Sequence, residues 1–140
     1  MKVLIGIDPG VNTGVGYRYN PDGKNAFSMT IHKAMDFVKQ QHEISSKIFV
    51  RVEDARQRKW FGKNSKVKAQ GAGSIKRDCK IWEDFLNDYN IPHEMIHPVK
   101  GATKLNAKVF KQITGITSRT NEHNRDAYML IHGLSFNMCE

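Results

Sequence analysis

The sequence predicts an α/β fold in which a mixed five-stranded sheet, opened by an antiparallel meander and completed by parallel strands, is flanked by helices. Three observations carry this expectation. Two strongly apolar runs, Val3 to Ile7 and Ile48 to Val52, each end in a carboxylate, Asp8 and Glu53. Turn-forming residues divide the chain before Ile31 into three short extended segments. Beyond Glu53, helical and extended patterns alternate.

The first strand, Val3-Leu-Ile-Gly-Ile-Asp8, is apolar or glycine up to its acid, which suits a central strand covered on both faces. Gly10, Gly14 and Gly16 let the backbone turn and pair closely with a second strand, Thr13 to Tyr19. Asn20-Pro-Asp-Gly23 is a turn, and a third strand follows near Ala26 to Ile31. His32 to Gln41 suits a short helix with Ala34, Phe37 and Val38 on one side. In Lys47-Ile-Phe-Val-Arg-Val-Glu53 the two-residue period puts Ile48, Val50 and Val52 on one face and Phe49, Arg51 and Glu53 on the other, so Arg51 is expected beside Glu53. A basic loop to about Ala69 precedes a helix from Gln70 to Tyr89, with Ile75, Trp82, Phe85 and Leu86 at its apolar positions. Gly71 and Gly73 at its start predict close approach to another backbone, such as that of a second subunit. Ile91 to Pro98 is expected as a strand, Leu105 to Thr114 as a basic helix, and Asn121 to about Phe136 as the last helix.

At 140 residues the expectation is one domain, 1–140, whose core needs no disulfides. The Asp8-Pro-Gly10 turn with its later glycines also fits the phosphate loop of actin-like and sugar kinases, but such enzymes need two domains of this size. Cys79 and Cys139 lack metal-site spacing and are expected as free thiols in a reducing cytoplasm. No apolar run is long enough to cross a bilayer, and Met1 leads straight into a strand, so neither a membrane partner nor a leader is expected. The excess of 22 Lys+Arg over 14 Asp+Glu, a net +8, favours a polyanionic partner. It is concentrated at Arg51, Arg56, Arg58, Lys59, Lys63, Lys66 and Lys68, with Trp60-Phe61 inside the cluster. Basic side chains around adjacent aromatics are what a loop that grips a backbone and stacks on bases requires.

The last helix carries the remaining chemistry. Thr120 or Asn121 can cap it, and Glu122, His123 and Asp126 lie within its first turns. His123 and Asp126 stand at i, i+3, and Glu122 and Asp126 at i, i+4, so either pair can share a face. An acid at a helix start commonly serves only the macrodipole. Asp126 is singled out by its neighbours, because Ala127 and the apolar run Tyr128 to Ile131 must dock on the core with Asp126 at the boundary. Two strand-end acids and this helix can bring three carboxylates and an imidazole to one spot. Such a site suits a pair of hard divalent ions, Mg²⁺ or Mn²⁺, and hydrolysis of a phosphodiester. His123 would be a ligand, more at ease with Mn²⁺, or a group that orients water.

Taken together, Ile5-Gly-Ile-Asp8-Pro-Gly10 with Thr13-Gly14, Val50-Arg-Val-Glu53, Ala69-Gln-Gly-Ala-Gly73 and His123-x-x-Arg-Asp126-Ala127 resemble the RuvC-type Holliday junction resolvases of the ribonuclease H-like fold. The resemblance covers nearly the whole chain, in order. It implies a homodimer that cuts a four-way DNA junction symmetrically, with Asp8, Glu53 and Asp126 as metal ligands. It places His123 where the family carries Asp or His, and matches Lys100 and Lys108 to lysines that hold the scissile phosphate. The helix from Gln70 corresponds to the family's dimer interface. The short segment between Asp8 and Glu53, and the late position of Trp60-Phe61, look more like a phage or mobile-element enzyme with a broader range of branched DNA. Two alternatives stand beside it: a ribonuclease H-like nuclease acting on RNA or RNA–DNA hybrid, and a non-catalytic binder of structured nucleic acid.

Overall fold

Five strands, β1 (Lys2–Asp8), β2 (Asn12–Asn20), β3 (Lys24–Thr30), β4 (Lys47–Glu53) and β5 (His93–Ile96), form one sheet in the order β3-β2-β1-β4-β5. The computed structural model describes residues 1–45, 47–56, 65–97 and 104–140, with 65–72 described by backbone alone. β1, β2 and β3 pair antiparallel as the expected meander, whereas β4 pairs parallel with β1, and β5 parallel with β4. The α/β class and the mixed sheet are therefore as expected.

Side-chain parity divides the molecule. In β1, Val3, Ile5 and Ile7 point into a core shared with Val15 of β2 and with Ile48, Val50 and Val52 of β4. Helices α1 (Ile31–Ile44) and α2 (Ser65–Asp88) cover that face with Ala34, Val38, Trp82 and Leu86. Leu4 points the other way, into a second core closed by α3 (Ala107–Thr114), α4 (Glu122–Met129) and a final 3₁₀ turn, Phe136–Cys139. Asp8 shares its parity with Leu4, and Glu53 with Phe49, so both acids end their strands on the α4 side.

Three glycines seat α4 there. A Cβ on Gly6 would stand 1.9 Å from the Ala127 carbonyl oxygen, one on Gly14 2.3 Å from that of His123, and one on Gly16 2.4 Å from Tyr128 Cα. Gly16 lies across from Gly6, and Gly14 across from Asp8, which makes a bare strip of sheet for the helix. Gly14 and Gly16, expected to serve strand pairing, do so and together with Gly6 also serve helix docking.

Several boundaries differ from expectation. β3 begins at Lys24, α1 runs on to Ile44, α2 begins at Ser65 rather than Gln70, and β5 is confined to His93–Ile96. No atom lies within 4 Å of a Cβ built on Gly73, so the close backbone approach expected there is not made within the described residues. The last helix stops at Met129 instead of near Phe136. Its end tightens, with Leu130 and Ile131 N–H donating to the carbonyls of Ala127 and Tyr128, and Gly133 then takes φ 75°. Arg18 donates to the carbonyls of Ile131 and Leu134, and Arg51 to that of Leu130. Cys79 and Cys139 are free and buried. Among the described residues, no helix is long and apolar enough to cross a membrane.

Candidate metal centre

Asp8, Glu53 and Asp126 each present a carboxylate oxygen, and these three atoms lie within 4.8 Å of one another. Two come from the C-terminal ends of adjacent parallel strands and the third from the second turn of α4. They line a cleft of about 380 Å³ whose walls include Gly10, Val11, Ile75, Cys79, Lys104 and His123. The turn after Asp8 is fixed, because the Thr13 hydroxyl donates to the Gly10 carbonyl at 2.7 Å and Ile31 N–H donates to the Val11 carbonyl at 3.2 Å. The start of α4 is fixed by a reciprocal cap between Asn121 and Asn124, to which the Ser28 hydroxyl of β3 is bonded.

Burial and like charge dominate the electrostatics at Asp8. Asp8 is pushed up from 3.8 to about 8, first by burial, then by the charge of Glu53 and a hydrogen bond shared with it, and then by Asp126, with Lys104 opposing. Lys104 reaches in from the segment before α3. Its ammonium donates to Asp126 at 3.1 Å and meets Glu122 at 2.7 Å. Bonding to Glu122 and Asp126 pushes the Lys104 pKa up, and the same ammonium holds Glu122 below its ordinary value. Arg125 anchors the root of Lys104, since its Nε donates to the Leu105 carbonyl at 3.0 Å. Among the described residues, Lys104 is the ammonium that meets Glu122 and Asp126 of this group.

The acids of the last helix divide their work. Glu122 turns to Lys104, while His123 lines the cleft with Nδ1 3.2 Å from Asp8 Oδ2. His123 is not within the set of ligand atoms that lie within 4.8 Å of one another, and its side chain is 67% exposed.

The basic residues named from sequence fare differently. Arg51 does share a face with Glu53, but its guanidinium donates to Glu94, its register partner on β5, at 3.2 Å. Arg56 clamps Asp54 and Glu83 at once, with Nε and one Nη on Asp54 at 2.8 and 2.7 Å and both Nη atoms on Glu83 at 2.8 and 3.1 Å. That clamp ties the end of β4, one residue past Glu53, to α2, and it holds the Asp54 and Glu83 carboxyls below their ordinary range. Lys108 is exposed on α3. Arg58, Lys59, Trp60, Phe61, Lys63 and Lys100 lie outside the described residues. Sequence reasoning misses Lys104. It stands in an irregular segment with no periodicity to aim it, and only the count of lysines between Lys100 and Lys108 points near it.

No protein-family profile matches this chain, and no curated protein matches its sequence.

Proposed function

We propose that this chain is a metal-dependent endonuclease of the ribonuclease H-like fold that cuts four-way junctions or other branched DNA as a homodimer. The approach of Asp8, Glu53 and Asp126 to within 4.8 Å is the observation that carries this reading. Oxygens that share one octahedral Mg²⁺ at 2.0–2.1 Å stand roughly 3 to 4 Å apart, so small side-chain rotations bring the three onto one ion. Mg²⁺ or Mn²⁺, two per site, would supply Lewis-acid stabilisation of the leaving oxygen and an activated water. The meander followed by parallel strands and the net +8 support the same reading.

Each residue then has a task. Asp8 would have to lose its proton to hold a cation, so cation affinity is expected to rise as pH approaches about 8. Lys104 leaves Asp126, stays tethered by Glu122, and presents its ammonium to the phosphate, the role the resemblance gave to Lys100 and Lys108. His123 holds Asp8 at the mouth of the cleft. Ile81 and Phe85 on α2, with Tyr89 one residue beyond its end and partly covered by the Lys39 ammonium, offer an apolar stripe to a second copy, with Ile81 and Tyr89 40% and 45% exposed.

Labelled four-way junction incubated with Mg²⁺ or Mn²⁺ is expected to yield paired nicks, in competition with RNA–DNA hybrid that leaves the rate unchanged. Sedimentation is expected to give twice the 16.0 kDa chain mass. Preferential cutting of the hybrid would move the substrate to RNA, and intact DNA in every metal would remove the enzyme claim. Lys104→Ala is expected to lower kcat about 10²- to 10³-fold, on the scale of losing one charge-stabilising donor. The same change frees Asp126 and should tighten Mn²⁺ binding measured by titration calorimetry. Unchanged kcat would strip Lys104 of this role.

A further inference from the structure

We propose that the outward face of α3, continued by Lys24 and Arg119, is a track for the duplex arm that adjoins the cut. This rests on the nuclease reading in so far as it takes nucleic acid as the ligand. α3 leaves the site directly, beginning three residues after Lys104. Phe110 turns inward onto Tyr128, their rings 5.7 Å apart, while Lys108 and Lys111 are exposed. At the far end, Lys24 Nζ lies 3.5 Å from where a Cβ on Gly115 would stand, and Arg119 is exposed just beyond. Among the described residues, none of Lys24, Lys108, Lys111 and Arg119 meets a carboxylate.

Helix physics accounts for only part of this pattern. Lys111 and Lys24 stand at the C-terminal end of α3, where cations complement the macrodipole. Lys108 is the second residue of the helix, where a cation costs about 0.3–1 kcal/mol and an acid would be favoured, yet the first turn carries no acid. A cation held against the local dipole, four residues from Lys104 and without a carboxylate partner among the described residues, is suited to an external anion. Eight residues of helix span about 12 Å, which matches the axial rise of three to four base pairs.

The test is equilibrium binding of fluorescent four-way junction between 50 and 200 mM salt, with Ca²⁺ in place of Mg²⁺. Wild type is compared with K108A/K111A and with K33A/K39A, a charge-matched pair on α1 across the sheet. The α3 pair is expected to lower the slope of log affinity against log salt by about 2, at roughly 0.9 per phosphate contact, and to weaken binding about tenfold at 100 mM salt. The α1 pair should change the slope by less than half a unit. An unchanged slope in K108A/K111A, or an equal fall in K33A/K39A, overturns the track while leaving the nuclease reading intact. A wild type that binds no DNA at all removes both.

Discussion

Asp8→Asn is expected to abolish cleavage, by roughly 10³-fold or more, while making the metal-free protein more stable. The first effect comes from losing one of three carboxylates that converge within 4.8 Å. The second comes from burial and like charge, which lift Asp8 from 3.8 to about 8. Below about pH 4 the folded and unfolded chains both carry that proton, and Asp8 costs nothing. Between about pH 4 and 8 the unfolded chain has released the proton and the folded chain still holds it, so stability falls as pH rises, and above about 8 the cost is constant. Asparagine has no such slope. At pH 8 the variant should exceed wild type by a few kcal/mol, equivalent to about 5–10 °C in Tm, and at pH 4 the two should coincide. Under the proposed function, millimolar Mg²⁺ should stabilise only wild type and close the gap. Thermal scans over pH, with and without Mg²⁺, read all of this. A variant that melts below wild type at pH 8 in chelator would show that Asp8 is there for the fold.

Gly6→Ala is expected to be the most damaging single-methyl change in the chain. The new Cβ would stand 1.9 Å from the Ala127 carbonyl oxygen, where ordinary contact requires more than about 3.3 Å. Both sides of that contact are main chain, so no rotamer relieves it. Either α4 lifts by more than about 1 Å or β1 shifts, at a cost of about 3 kcal/mol or more. Asp126 is the neighbour of Ala127, so the same movement pulls a carboxylate from the cluster. Activity and Tm should fall together, with Tm down by about 10 °C. Gly73→Ala is the matched control. That position lies within α2 with nothing among the described residues inside 4 Å, and alanine there should stabilise by about 0.5–1 kcal/mol. Equal melting of Gly6→Ala and wild type in denaturant would sink the glycine bed as an account of helix docking.

Much of the scaffold and of the acid cluster was legible in sequence because strands announce themselves by period. The runs ending in Asp8 and Glu53 form β1 and β4, and the register between these strands, which the sequence does not state, puts both acids on one side of the sheet. Asp126 was legible through the change from polar to apolar just after it. What escaped was set by contacts remote in sequence. Arg51 shares the face of Glu53 as expected, but its guanidinium bonds the carboxylate across the ladder, Glu94, which only the pairing of β4 with β5 reveals. The last helix was drawn too long because its apolar residues continue to Phe136, while carbonyls just beyond its end at Met129 are bound by Arg18 and Arg51 from the sheet. Gly6, Gly14 and Gly16 looked like permissive turn and strand residues, and only the helix lying on them reveals that their missing side chains are the requirement. Lys104 was invisible because nothing local aims it; Arg125 and Glu122 do.

The ammonium of Lys104 between Glu122 and Asp126 gives the metal-free protein an internal counter-ion. Under the proposed function, loading becomes an exchange in which magnesium evicts an amine, and the chain can ripen and persist in magnesium-starved surroundings. Scarcity of the ion then silences the blade without blunting it.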